Sequence, residues 1–356
     1  MKIIHCADLH LDSRMESGLS PEQAQERRLE LLRTFTRMVE RAAEEQAEAV
    51  LLCGDLFDNR TISVRAGNCV MDAIVEHPQM NFYYLQGNHD RNSFLHDFRQ
   101  LPENLKTFGP EWTSYEQGGV TITGAELSKE TPEDLMERLA LDEGRVNIVM
   151  LHGTVQEYRG KEPWDAIPLR VLRERGIDYL ALGHLHSFRL ERLDDRGYWC
   201  YSGCLEGRGF DECGEKGYVE LEIGQGKVAP VFVPFAERSL HDISVDITGL
   251  TTQEEIQRKI RQALRDISRK DMVQVRLVGQ AGPETERDAA WIRKWLEEAC
   301  YFLRVKDEAS LLIRPEDYRY DVSLKGEFVR LVLASELADD EKEAVLRRGL
   351  CALTGE

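Results

Sequence analysis

Seven side chains in five short blocks have the types and order to hold divalent metal: Asp8 and His10, Asp55, Asn88, His152, and His184 with His186. The blocks read Asp8-Leu9-His10, Gly54-Asp55-Leu56-Phe57-Asp58, Gly87-Asn88-His89-Asp90, Leu151-His152-Gly153 and Gly183-His184-Leu185-His186. Carboxylate, amide and imidazole donors without thiolate suit hard or borderline divalent ions in roughly octahedral geometry. A pair of such ions is the usual device for hydrolysing phosphate esters. One block alone would be ordinary, since a histidine at a strand end is more often a loop or core residue. Five in series make the pattern specific.

Each block follows an apolar run: Ile3-Ile4, Ala49 to Leu52, Phe82 to Leu85, Val146 to Met150, and Tyr179 to Leu182. Read as strands, these runs deliver the polar groups to one edge of a sheet. Ser20-Pro21-Glu22-Gln23 has the residues of a helix start, with Ser as N-cap, Pro in the first turn and Gln reaching back. A helix over about 21–46 follows, and its stripe Leu29, Leu32, Phe35, Met38, Val39 and Ala42 should pack on the sheet. Strands and helices alternate to about residue 185, and residues 198–233 turn to Gly-punctuated strand patterning, so the class is mixed α/β.

Pro234-Phe235-Ala236-Glu237-Arg238 marks a boundary, predicting domains at 1–238 and 239–310 and a helical tail at 311–356. The middle segment reads strand, helix, strand, helix, strand. In the tail, Phe328, Leu331 and Val332, and then Val345, Leu346, Leu350 and Leu353, recur at helical spacing. Two short amphipathic helices there either fold back or meet another protein.

Eight scattered cysteines form no metal-binding or redox motif, and Cys53, just before Gly54-Asp55, reads as an inward strand residue. No run approaches the length of a membrane span, and a candidate ligand at position 8 leaves no room for a cleavable leader, so a cytoplasmic location is expected. The net charge of −18, from 46 basic and 64 acidic residues, has the wrong sign for a protein that coats a phosphate backbone. Grip on a long polyanion would need a local basic strip, the metals themselves or a partner subunit.

The ordered blocks resemble the calcineurin-like metallophosphoesterase superfamily. Ala7-Asp8-Leu9-His10-Leu11, Gly54-Asp55-Leu56-Phe57-Asp58 and Ala181-Leu182-Gly183-His184-Leu185-His186 are close to the form in its SbcD-type DNA-repair exonuclease branch. Tyr201-Ser202-Gly203, Phe210-Asp211-Glu212 and Glu215-Lys216-Gly217-Tyr218 resemble the run that follows there. The resemblance implies a four-layer αββα sandwich with a small C-terminal α/β capping domain. It implies one metal on Asp8, His10, Asp55 and His186, and a second on Asp55, Asn88, His152 and His184, with Asp55 bridging. Manganese is the expected ion, with iron or magnesium as alternatives. His89 would assist the departing alkoxide and Asp58 would orient it; Asp12, Arg14, Asp90 and Arg91 flank the site.

By the same resemblance the activity is metal-dependent cleavage of DNA, as the nuclease subunit of a complex with an SbcC-like coiled-coil ATPase that docks on the tail. Val64, Val70, Ala73 and Ile74, and Phe94, Leu95, Phe98 and Leu101, fall where the family packs across a homodimer; burial on the protomer's own sheet is the other reading. Two departures bear on substrate. Leu151-His152-Gly153-Thr154 lacks a glutamine common in that branch, and Glu206-Gly207-Arg208-Gly209-Phe210 replaces a more polar run. The alternatives are a small-molecule phosphodiesterase or phosphoprotein phosphatase on the same scaffold, and a non-catalytic scaffold protein. Asp58-Asn59-Arg60 lacks the Asp-Arg-Gly ending of protein phosphatases, which weighs against that branch.

Overall fold

The computed structural model describes the chain except residues 16–17, 59–61, 91–94, 96–97, 130–133, 157–164, 283–284, 313–314 and 355–356. Arg91 and Phe94, named above, lie outside the described residues. The chain divides into two compact units, Met1–Ser239 and Leu240–Glu356.

The strands of the first unit are β1 (Lys2–Cys6), β2 (Ala49–Cys53), β3 (Asn81–Leu85), β4 (Leu105–Thr107), β5 (Thr113–Gln117), β6 (Val120–Gly124), β7 (Val146–His152), β8 (Thr154–Val155), β9 (Ala166–Ile167), β10 (Tyr179–Gly183), β11 (Arg189–Arg192), β12 (Tyr198–Tyr201), β13 (Gly217–Gly224) and β14 (Lys227–Pro234). Twelve of them build two six-stranded sheets, ordered β14-β13-β1-β2-β3-β4 and β11-β12-β10-β7-β6-β5, while β8 and β9 pair with each other. Within them β1, β2 and β3 run parallel, as do β10 and β7. β2 and β10 are buried at every position, as parallel strands covered on both faces require.

The period-two alternation of these strands sorts their side chains into three cores. Ile3, Leu51, Tyr83 and Leu85 meet Ile148, Met150, Tyr179 and Ala181 between the sheets. The opposite parity, Ile4, Val50, Leu52 and Phe82, packs under two helices, α1 (Pro21–Glu44) and α2 (Val64–Val75). On the far side, Val149, Leu151, Leu180 and Leu182 are covered by Leu135, Leu139, Ile167, Leu172 and Ile177. The fold is thus mixed α/β with two packed sheets. Its fourth layer is thin, built from a 3-10 turn at Met136–Arg138 and the one-turn α3 (Leu169–Leu172).

Helix α1 starts as its residues dictate. Ser20 caps it, and Ser20 and Gln23 each receive the other's backbone N–H. Its buried face differs from the expected stripe: Leu31 is buried where Leu29 and Leu32 are only partly covered, and Arg27 and Glu30 lie inside with Phe35, Met38, Val39 and Ala42. The reason is a buried ionic cluster. Glu30 binds Arg238 through Nε at 2.9 and 3.1 Å and also pairs with Arg27, whose Nη2 donates to the Gly207 carbonyl at 2.6 Å. Val70, Ala73 and Ile74 pack in the protomer's own core, with Leu95 and Phe98 against it, while Val64 and Leu101 stay exposed.

The second unit has a three-stranded parallel sheet, Leu240–Asp246, Met272–Val278 and Phe302–Asp307 in that spatial order. Its helices α4 (Gln253–Ala263) and α5 (Ala289–Trp295) contribute Ile256, Ile260 and Ile292 to a core with Val245, Val273 and Val275. α6 (Leu324–Leu333) and α7 (Asp339–Thr354) cover one another through Val329, Val332, Leu346 and Leu350. Among the described residues no helix is long and apolar enough to cross a membrane.

Candidate metal centre

All seven candidate ligands sit at the C-terminal ends of parallel strands. Asp8 and His10 follow β1, Asp55 follows β2, Asn88 follows β3, His152 ends β7, and His184 and His186 follow β10. The expected single sheet edge is therefore two edges, three strands from one sheet and two from the other. Asp8, His10, Asp55 and His184 have positive φ values of 52°, 44°, 52° and 108°. Such left-handed turns are tolerated best by Gly, Asn, Asp and His, and they fold the backbone sharply so that the side chains converge. Two glycines let the sheets touch here: a Cβ at Gly183 would collide with the Cys53 carbonyl, and one at Gly54 with the His152 ring.

Asp8, His10 and His186 form one convergent group, and Asp8, Asp55 and His152 another. The Nε2 atoms of His10 and His186 face each other at 3.3 Å. Nε2 of His152 lies 3.0 Å from Asn88 Oδ1 and 3.3 Å from Asp55 Oδ2, and Nδ1 of His184 lies 3.3 Å from the same Asn88 oxygen. Asp8 is common to both groups, and Asp55 Oδ2 is also 4.0 Å from His10 Nε2, so two carboxylates stand between the clusters.

The outward nitrogens of three rings face oxygen atoms. His152 Nδ1 donates to the Cys53 carbonyl at 2.9 Å, His10 Nδ1 lies 3.3 Å from Asp58 Oδ1, and His186 Nδ1 lies 2.7 Å from Glu212 Oε1. With Nδ1 carrying the hydrogen, a neutral imidazole presents a lone pair at Nε2. At His152 that lone pair would point at a carboxylate oxygen and an amide oxygen. Three lone pairs in contact repel unless a cation or a proton lies among them. Accordingly, although burial opposes charge on His152, the Asp55 carboxylate overrides it and holds the imidazole's pKa up at about 9.

The neighbouring groups respond to the same crowding. Burial works against the Asp55 carboxylate, yet His152 and His10 hold it below the usual carboxylate range. Hydrogen bonds from His10 and His89 hold Asp58 well below its ordinary value, and the bond to Asp58 raises His89. Burial lowers both His10 and His184.

Residues 1–188 match the family model described as calcineurin-like phosphoesterase. The chain belongs to this family. It is 30% identical over 261 residues to the uncharacterized metallophosphoesterase YhaO of Bacillus subtilis, a match spanning 70% of this chain and 64% of that protein. It is also similar to a Thermus thermophilus protein of known structure, at 14% identity and a TM-score of 0.42 over 65% of this chain and 98% of that one. A dimetal phosphatase from Danio rerio aligns at 12% identity and a TM-score of 0.41, over 66% and 99% of the two chains. Calcineurin-like phosphoesterases are metal-dependent phosphoester hydrolases that use two divalent ions, and this chain supplies groups able to hold them. The donor set fits that requirement: carboxylate, amide and imidazole groups converge, and a cation among them would relieve the opposed lone pairs at His152 and between His10 and His186.

The flanking residues divide. Asp90 does not face the site: its buried carboxylate accepts from the backbone N–H of Leu56, Phe57 and Gly87 at 3.2, 3.0 and 3.0 Å, bracing the turns that carry Asp55 and Asn88. Asp12 accepts from Ser63, the N-cap of α2, and Arg14 is exposed. Sequence reasoning assigned no role to Glu212, Arg208 or Asp165, which all lie beside the histidines. Asp165 Oδ2 is 3.9 Å from His184 Nε2. Cys53 is buried as expected, and its carbonyl, not its thiol, serves the site.

Proposed function

We propose that this phosphoesterase cleaves phosphodiester bonds in DNA, with Asp8, His10, Asp55 and His186 holding one ion and Asp55, Asn88, His152 and His184 the other. Manganese is the ion that the oxygen and nitrogen donor set favours. When bound, the ions would supply an activated water and neutralise charge on the phosphoryl oxygens. His89 is the proton donor to the leaving oxygen, and its placement carries the reading. Its side chain is 45% exposed beside candidate ligands that are largely buried, and Asp58 Oδ1 lies 3.2 Å from its Nδ1. That contact leaves Nε2 for the substrate and favours the protonated ring, the state a donor to an alkoxide needs at neutral pH.

DNA as the substrate is supported by the wording of the motifs around Asp8, Asp55 and His184. The net charge of −18 favours a second reading, a small-molecule phosphodiester. For DNA cleavage the same charge makes a separate DNA-gripping subunit physically useful, and we propose a coiled-coil ATPase in that role. Side-by-side assay of bis-p-nitrophenyl phosphate, single-stranded DNA and a phosphopeptide with added manganese tests the choice. Turnover of the aryl diester and of DNA is expected. Turnover of the aryl diester without DNA selects the small-molecule reading, and turnover of the phosphopeptide alone rejects both.

A further inference from the structure

We infer that Glu212 and Arg208 are positioning residues for the imidazoles of one metal position, the one framed by His10 and His186. The inference rests on the two-metal reading above. Glu212 is buried, and its Oε1 lies 2.7 Å from His186 Nδ1, which leaves Nε2 of that ring facing Nε2 of His10. The same carboxylate accepts from three donor atoms of Arg208: the backbone N at 2.7 Å, Nη2 at 2.7 Å, and Nε at 3.1 and 3.4 Å. The other arm of the guanidinium, Nη1, lies 3.3 Å from Asp58 Oδ2, and Asp58 Oδ1 is 3.3 Å from His10 Nδ1. One arginine therefore joins the two carboxylates that stand behind the two imidazoles.

The chemistry of this arrangement is specific. A carboxylate behind a ligand histidine fixes its tautomer and the plane of its ring. Buried without a counter-charge, that carboxylate would be costly. Arg208 supplies the counter-charge through a rigid planar fork, which a lysine cannot reproduce across two carboxylates. Its turn is anchored too, since the Gly207 carbonyl accepts from Arg27 at 2.6 Å, and the His186 carbonyl accepts from Lys216 Nζ at 2.7 Å. The other metal position is supported differently: His152 leans on the Cys53 carbonyl, a backbone group outside the Arg208 network. Loss of Arg208 or Glu212 should therefore fall on one ion and spare the other.

The test is a manganese titration of the full chain, stripped of metal, by calorimetry and by electron paramagnetic resonance, for wild type, E212A, E212Q, R208A and R208K. Wild type should bind two ions and show the signal of a coupled pair. E212A and R208A should weaken one site by roughly 10–100-fold and leave the other unchanged, so that the coupled signal is lost at manganese levels that saturate wild type. E212Q, whose amide oxygen can still accept from Nδ1, should recover most of the affinity; R208K should not. Two unaltered sites in E212A and R208A would overturn the positioning role, and so would equal weakening of both sites with a lowered melting temperature. Should the alanine variants fail to fold, the contrast between E212Q and R208K decides, and equal affinities in the two would overturn the role. Fewer than two ions in wild type would overturn the two-metal reading itself.

Discussion

Oδ1 of Asp58 lies 3.2 Å from Nδ1 of His89, and the same oxygen lies 3.3 Å from Nδ1 of His10. One carboxylate thus serves a candidate ligand and the candidate proton donor. His89→Ala removes only the second of these. It should keep both ions and lose about 10²–10⁴-fold in turnover, with a smaller loss on substrates whose leaving group is activated. Steady-state rates on an alkyl and an aryl phosphodiester, with metal content measured in parallel, check this; a near-normal rate on the alkyl ester would remove the role.

Asp55→Asn should weaken both ions together. Asp55 Oδ2 lies 3.3 Å from His152 Nε2 and 4.0 Å from His10 Nε2, so the lost charge is shared by the two clusters. Metal analysis after dialysis against limiting manganese should find neither site filled. One full site would show that Asp55 belongs to a single cluster.

Glu30→Ala should destabilise the first unit by roughly 3 kcal/mol, because it removes the carboxylate shared by Arg27 and Arg238 and leaves these buried charges the longer contacts to Glu206 at 4.0 Å and Glu26 at 3.8 Å. Thermal unfolding monitored in the metal-free protein reads the effect. A shift no larger than that of an exposed substitution would mean that the cluster is solvated in solution.

His5 sets part of the acid limit. It is buried, with Nδ1 2.8 Å from the Tyr179 hydroxyl, and burial pushes its pKa down from 6.5 to about 3. The unfolded chain therefore binds this proton more readily than the folded one. The contribution is fully present above pH 6.5 and is lost as pH falls from there toward about 3, a loss on the order of 5 kcal/mol. Stability measured between those limits should fall less steeply in His5→Gln than in wild type, and equal slopes would reject the assignment.

What could be read in the sequence was local. The Ser20–Gln23 capping box, the strand preceding each ligand block and the paired helices near the C-terminus follow from residues a few positions apart. The stripe on α1 was misphased because Glu30 looks like a surface residue until Arg238, far along the chain, is brought to it. Asp90 reads in the sequence only as a residue flanking the site, and its work, holding three backbone N–H groups, shows only when the turns are brought together. Glu212 lies 26 residues from His186, and nothing in its neighbourhood marks it as that ring's partner. The division of the ligand blocks between two sheets is likewise long-range, since pairing order leaves no trace in periodicity.

That division has a mechanical consequence. Each proposed ion draws ligands from both sheets: Asp8, His10 and Asp55 with His186, and Asp55 and Asn88 with His152 and His184. A bound ion would act as a rivet through the seam of the sandwich, so that spreading the sheets and releasing metal become one event. Occupancy would then slow amide exchange deepest in β2 and β10, the facing strands whose ends meet at Cys53 and Gly183.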